Sequence, residues 1–169
     1  MLSIFKTLFE RTIPLFAFIF PILEINSCFA SKIFQNIDNI TVKVFYYRQL
    51  MPLIQLYQSN IYIFFILMVG IFIACSRGSI KLTKYVRFNI IQAILLAIVA
   101  QAITQVYYLL PVIIRETIVG SFITNIAYTG IILSVLYCAA IILFFGRYPR
   151  LPIVTDAAKL QVQRGQLDD

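Results

Sequence analysis

The chain has 169 residues, 61% of them hydrophobic and 12% charged, with a net charge of +7 and no histidine. Soluble domains are about half apolar and about a quarter charged, so this composition excludes an ordinary soluble domain and reads as a single membrane domain. The missing histidine removes the usual general base and the commonest metal ligand. The three cysteines, Cys28, Cys75 and Cys138, sit in or beside apolar runs and read as small packing residues, not as a disulfide framework.

The opening segment, Met1 to Arg11, is short and amphipathic, with Lys6 and Arg11 ahead of the first apolar run. It is too short, and too poor in Ser and Arg, for an organelle transit peptide. Residues 12–31 form the first predicted span, about the twenty residues a bilayer requires. The basic start and Cys28-Phe29-Ala30 also fit a secretory signal peptide with a small-residue cleavage site. Pro14, Pro21 and Glu24 interrupt the apolar core and favour a kinked helix in a bundle instead. Glu24 is the only carboxylate within an apolar run. It is expected either to face a conduit or pair with a cation, or to reach the interface from the helix end.

Residues 45–58 read as an interfacial amphipathic helix, with Tyr46, Leu50, Leu53, Ile54 and Tyr57 on one face and Arg48, Gln55 and Gln58 elsewhere. Pro52 is expected to start or kink it. A second span follows over residues 58–76, where Gly70, Ala74 and Gly78 recur every fourth residue as a close-approach stripe. The next loop carries Arg77, Lys81, Lys84 and Arg87 without an acid.

The third span covers residues 87–110. Asn89 and Gln92 lie one turn apart at its start, on one face. An amide facing acyl chains lacks partners, so this face is expected to meet another helix or a wet cavity. Gln101, Thr104 and Gln105 point to a different side, which argues against a straight one-sided pore lining, and Ala93 and Ala97 read as close-approach positions. The fourth span, residues 122–145, repeats small residues at Gly130, Ser134 and Cys138. A polar tail, residues 146–169, follows the Gly146-to-Pro152 stop.

The fold class is therefore all-α: a polytopic membrane domain over residues 1–169, with four spans and an interfacial helix between the first and second. Cations concentrate in the N-terminal segment, the second loop and the tail, leaving only Lys32, Lys43, Arg48 and Arg115 for the other side. Arg77, Lys81 and Lys84 are expected to act as topology determinants, placing both termini on the cytoplasm-like side. A nucleic-acid role for these cations is disfavoured, and contact with membrane lipid is expected. Paired carboxylates, a Ser-His-Asp set, CxxC, HExxH and a glycine-rich phosphate loop are all missing from the sequence, so no catalytic, cofactor-binding or metal residue is assigned and no enzyme is expected.

Four collinear stretches carry a resemblance. They are Arg11-Thr-Ile-Pro-Leu-Phe with Pro21-Ile-Leu-Glu24; Leu50-Met-Pro-Leu with Tyr57-Gln-Ser59; Arg87-Phe88-Asn89-x-x-Gln92-Ala93-Ile94; and the tail motif Gly146-x-x-Pro149-x-Leu-Pro152-Ile-Val-Thr-Asp156-Ala-Ala158. Together they resemble the twenty-kilodalton subunit family of the chloroplast inner-envelope protein translocon. The resemblance implies four membrane helices, a part in preprotein import, and a place in the plastid inner envelope with both termini stromal. It also implies other translocon membrane subunits and preproteins in transit as partners. A cyanobacterial plasma membrane is the alternative location. Family members often carry an Asp soon after the third-span motif, where this chain has Ala97. Glu24, Arg87, Phe88, Asn89, Gln92 and Ala93 are the candidate positions for helix packing or for a conduit. The competing functions are a small transporter or channel, which internal symmetry would support but the two helix pairs do not display, and a non-conducting scaffold or assembly factor.

Overall fold

Two prolines shape the first span. In this computed structural model, which describes residues 2–35, 39–78 and 82–164 and the side chains of 10–34, 39–78 and 82–162, helix α1 (Leu2–Ala17) contains Pro14 and α2 (Ile19–Gln35) resumes after a break at Phe18. Pro21 has no N–H for the Ala17 carbonyl, and its ring crowds that group. The chain tightens there, Phe18 N donating to Leu15 O at 3.1 Å. Across this break Glu10–Phe34 remains one apolar stretch long enough to cross a membrane.

Helix α3 (Ile40–Phe45) starts from Asn39, whose side-chain oxygen accepts from the backbone of Thr41 and Val42. A π-helical turn, Tyr46–Leu50, leads into α4 (Met51–Ser59), with Pro52 at its start. Proline cannot donate to the Arg48 carbonyl, so a widened turn before it leaves less backbone unsatisfied. The extra residue offsets the helix face. Tyr46, Ile54 and Tyr57 are buried as their spacing predicts, whereas Leu53 is 47% exposed. At Asn60 the chain bends by 84° into α5 (Ile61–Arg77), a candidate fourth crossing set against a segment that runs nearly perpendicular to it.

Helix α6 (Lys84–Leu109) is the centre of the bundle: α1, α2, α5, α8 (Ile118–Ala140) and α9 (Val154–Arg164) all pack on it. Of its most apolar stretch, 67% is buried inside the protein, against 22% for the last span, Ile118–Phe145. The outer helix thus keeps most of its apolar surface for lipid or for other proteins. Between them, the short α7 (Val112–Arg115) turns the chain round.

The tail departs from its polar reading. After Gly146 it reverses at Ile153 (φ 68°), where Val154 N donates to Pro152 O at 2.8 Å, and forms α9. Thr155, Ala158 and Val162 recur at helical spacing and are buried against α6 and α5. One end of the bundle therefore gathers the end of α5, the start of α6, Arg11 of the N-terminal helix and the tail. Lys81 lies outside the described residues.

Two spans end there in the same way. Helix α5 stops at Gly78 (φ 73°) and α8, extended by a π-helical turn Ile141–Phe145, stops at Gly146 (φ 58°). A left-handed residue closes a helix C-terminus, and glycine adopts that conformation without a Cβ penalty. Each end also receives an arginine from another helix: Arg87 at Gly78, and Arg11 at Gly146, where Arg11 Nη1 donates to Leu143 O at 3.0 Å. A methyl group at Gly146 would lie 2.6 Å from Arg11 Nη2, whereas one at Gly130 would meet open space. Gly146→Ala is expected to destabilise the protein by about 1–2 kcal/mol or more, read by thermal unfolding in detergent, while Gly130→Ala costs nothing.

Candidate functional site

The basic end of α6 brings two distant sequence motifs together. Helical spacing sends Arg87 towards α5, and its Nε donates to Cys75 O at 2.7 Å and its Nη2 to Ser76 O at 3.0 Å. The guanidinium is buried and satisfies carbonyls that the last turn of a helix leaves without partners. Arg87 therefore serves a neighbouring helix end, unlike Lys84, which opens α6 exposed. Arg77 is likewise exposed, in the last turn of α5.

Phe88 is buried and stacks edge-on against Tyr148, with ring centroids 4.9 Å apart. Asn89 and Gln92 are fully buried. Asn89 Nδ2 donates back to Tyr85 O at 2.9 Å. Gln92 Nε2 faces the tail, within 3.4 Å of both Pro149 O and Thr155 Oγ1 and 3.9 Å from Cys138 Sγ. Thr155 in turn accepts from Leu151 N at 2.7 Å and donates to Pro149 O at 3.3 Å. The carbonyl oxygens of both amides, Asn89 Oδ1 and Gln92 Oε1, have no partner among the described residues. The face that the sequence assigns to a helix or a wet cavity is thus closed by the tail motif, with Ala93 fully buried in the same stretch of α6.

The remaining tail positions divide. Pro149 is buried, while Pro152 and Asp156 are exposed, Asp156 pairing with Lys159 at 3.4 Å. Glu24 stands apart from this cluster. It is buried in α2 and accepts a 2.5 Å hydrogen bond from Tyr57 Oη of the interfacial segment. Ala97 and Gln101 border the small void beside this pair. A second tie, Gln58 Nε2 to Ser27 O at 3.1 Å, holds the same junction. At the opposite end from the arginine caps, Lys32 Nζ donates to Tyr107 Oη at 2.9 Å and to Arg115 O at 3.3 Å.

Sequence reasoning missed Thr155, Tyr57 and Tyr107 as polar partners. The signal available was indirect: an amide or carboxylate in an apolar run demands a partner without naming it. Among the described residues no group of three or more His, Cys, Asp or Glu gathers where a metal ion could sit. What this arrangement does chemically is to satisfy polar groups within hydrocarbon and so fix helices relative to one another.

Comparison with known proteins places these features in context. A family described as "Chloroplast import apparatus Tic20-like" matches residues 7–158. A "Tic20 family protein Ycf60" of Cyanidioschyzon merolae is 29% identical over 160 residues, covering 95% of this chain and 79% of its own length. One of the same name from Gracilaria tenuistipitata is 25% identical over 92% of this chain and 76% of its own. A "Tic20 family protein" of the cyanobacterium Synechocystis is 29% identical over 69% of this chain and 72% of its own. No solved structure matches the chain.

The Glu24–Tyr57 pair yields a direct test. Tyr57→Phe leaves a buried carboxyl group without its donor and is expected to cost about 1–3 kcal/mol, measured by unfolding in detergent. Glu24→Leu with Tyr57→Phe removes both partners and is expected to cost less than the sum of the single changes, a coupling that a double-mutant cycle reads.

Proposed function

We propose, from the premise that this chain belongs to the chloroplast import apparatus Tic20-like family, that it is a membrane subunit of the protein-import translocon of the plastid inner envelope and helps preproteins cross that membrane. The observation that carries the reading is the family match over residues 7–158, which includes both the α6 motif and the tail motif meeting at Gln92. The role is non-catalytic. Asn89, Gln92 and Ala93 brace the subunit from inside.

Four short helices are too few to enclose a wide pore, so passage of a polypeptide requires further copies or partner subunits. The outer faces of α5 and α8 support such an assembly. Both are apolar and exposed, and Gly70 and Gly130 open onto empty space, where a second helix can approach closely. The gathering of Arg11, Arg77, Lys84, Arg87, Arg147, Arg150 and Lys159 at one end favours stromal placement of both termini.

Photocrosslinkers at Ile66 on α5 and Ile126 on α8, in organelles holding a preprotein stalled during import, test this. Adducts to other membrane subunits are expected, together with a preprotein adduct that vanishes when the preprotein is chased through. Subunit adducts without any to preprotein would make the protein a scaffold. Failure to find either would sink the import reading, and Gln92, being buried, serves as the position that yields only internal adducts.

A further inference from the structure

Beside the α6 motif lies a cleft of about 400 Å³ between the start of α6, the residues after Gly146, and α9. That volume falls in the range of small-molecule sites, about 300–1,000 Å³. Its walls hold three cations, Lys84, Arg150 and Lys159, three apolar groups, Phe88, Tyr148 and Val162, and Thr155. Asp156 pairs with Lys159 at 3.4 Å, and among the described residues neither Lys84 nor Arg150 has an ion-pair or hydrogen-bond partner. Two cations without a partner among the described residues thus converge on one concavity.

We propose that this cleft binds the phosphate headgroup of an anionic membrane lipid. Depth argues for a lipid source. Lys84 is the first residue of a spanning helix whose apolar run begins within one turn, so the cleft opens where headgroups lie. Tyr148, half exposed, suits the same layer. A free phosphate ion would use the cations and leave the exposed ring of Tyr148 uncovered, whereas a lipid places its glycerol and upper acyl carbons against it. Lys and Arg at this depth attract anionic lipid by about 1 kcal/mol each, and a basic pocket between helices converts that general attraction into a site. Bound there, the headgroup would bridge α6 and the tail, adding charge contacts to the junction that Gln92 and Thr155 make beneath it.

Native mass spectrometry of the full chain, released from micelles containing phosphatidylglycerol or phosphatidylcholine, tests the proposal. One phosphatidylglycerol per chain is expected to be retained in preference to phosphatidylcholine. Lys84→Gln/Arg150→Gln is expected to weaken retention about thirtyfold, while Lys84→Arg/Arg150→Lys keeps it. Lys43→Gln/Arg48→Gln removes the same charge from the interfacial segment and is expected to change nothing. If the double glutamine variant does not fold by circular dichroism, Arg150→Gln alone, outside any helix, is expected to lose about fivefold. Equal retention of the two lipids, an equal loss in the Lys43/Arg48 variant, or full retention in a folded cleft variant would overturn the site. Displacement by inorganic phosphate at concentrations matching the lipid would overturn the lipid source in favour of a free anion.

Discussion

Inside hydrocarbon, apolar surface gains nothing by turning from lipid to protein, so helix association rests on close packing and on finding partners for polar groups. This constraint organises the whole bundle. Helix α6 carries more such groups at its basic end than the other spans, and, while Asn89 bonds back within the helix, its neighbours draw in other elements. Arg87 holds the end of α5, Phe88 stacks on the tail, and Gln92 reaches Thr155 and Pro149. The most polar span is for that reason also the most enclosed. Helix α8, with few inward polar side chains, remains at the edge.

A second consequence concerns the bend between α4 and α5. A turn of 84° at the membrane edge exposes backbone groups and demands a firm anchor. Glu24 supplies it through Tyr57, and the Ser27 carbonyl does so through Gln58. A carboxylic group that looks unfavourable within the first span thus fixes the angle at which the interfacial segment leaves the second.

Much of this architecture is legible in the amino-acid sequence because its causes are local. Apolar run length, the cation bias of the loops and the aromatic face of residues 45–58 each act over a few turns, and the structure is all-α with three to four candidate membrane crossings. The break near Pro21 is local as well. The polar contacts are not. Gln92 and Thr155 are 63 residues apart, and Lys32 and Tyr107 are 75 apart. In each case the sequence states that a partner is required and leaves its identity to the packing. The return of the tail was hidden for another reason: α9 mixes Lys159, Gln161 and Asp156 with only a narrow apolar stripe, so composition alone reads it as polar.

The two arginine caps differ in one respect that matters for how the protein is made. Arg87 serves carbonyls only 12 residues earlier, so this contact can form as soon as the second and third spans stand side by side. Arg11 serves Leu143, 132 residues later. Arg11 can therefore reach the helix end it closes only once the final span is in place. The chain is fastened by its first and last spans, and the tail helix α9, which follows them, then packs on α6 to close the bundle.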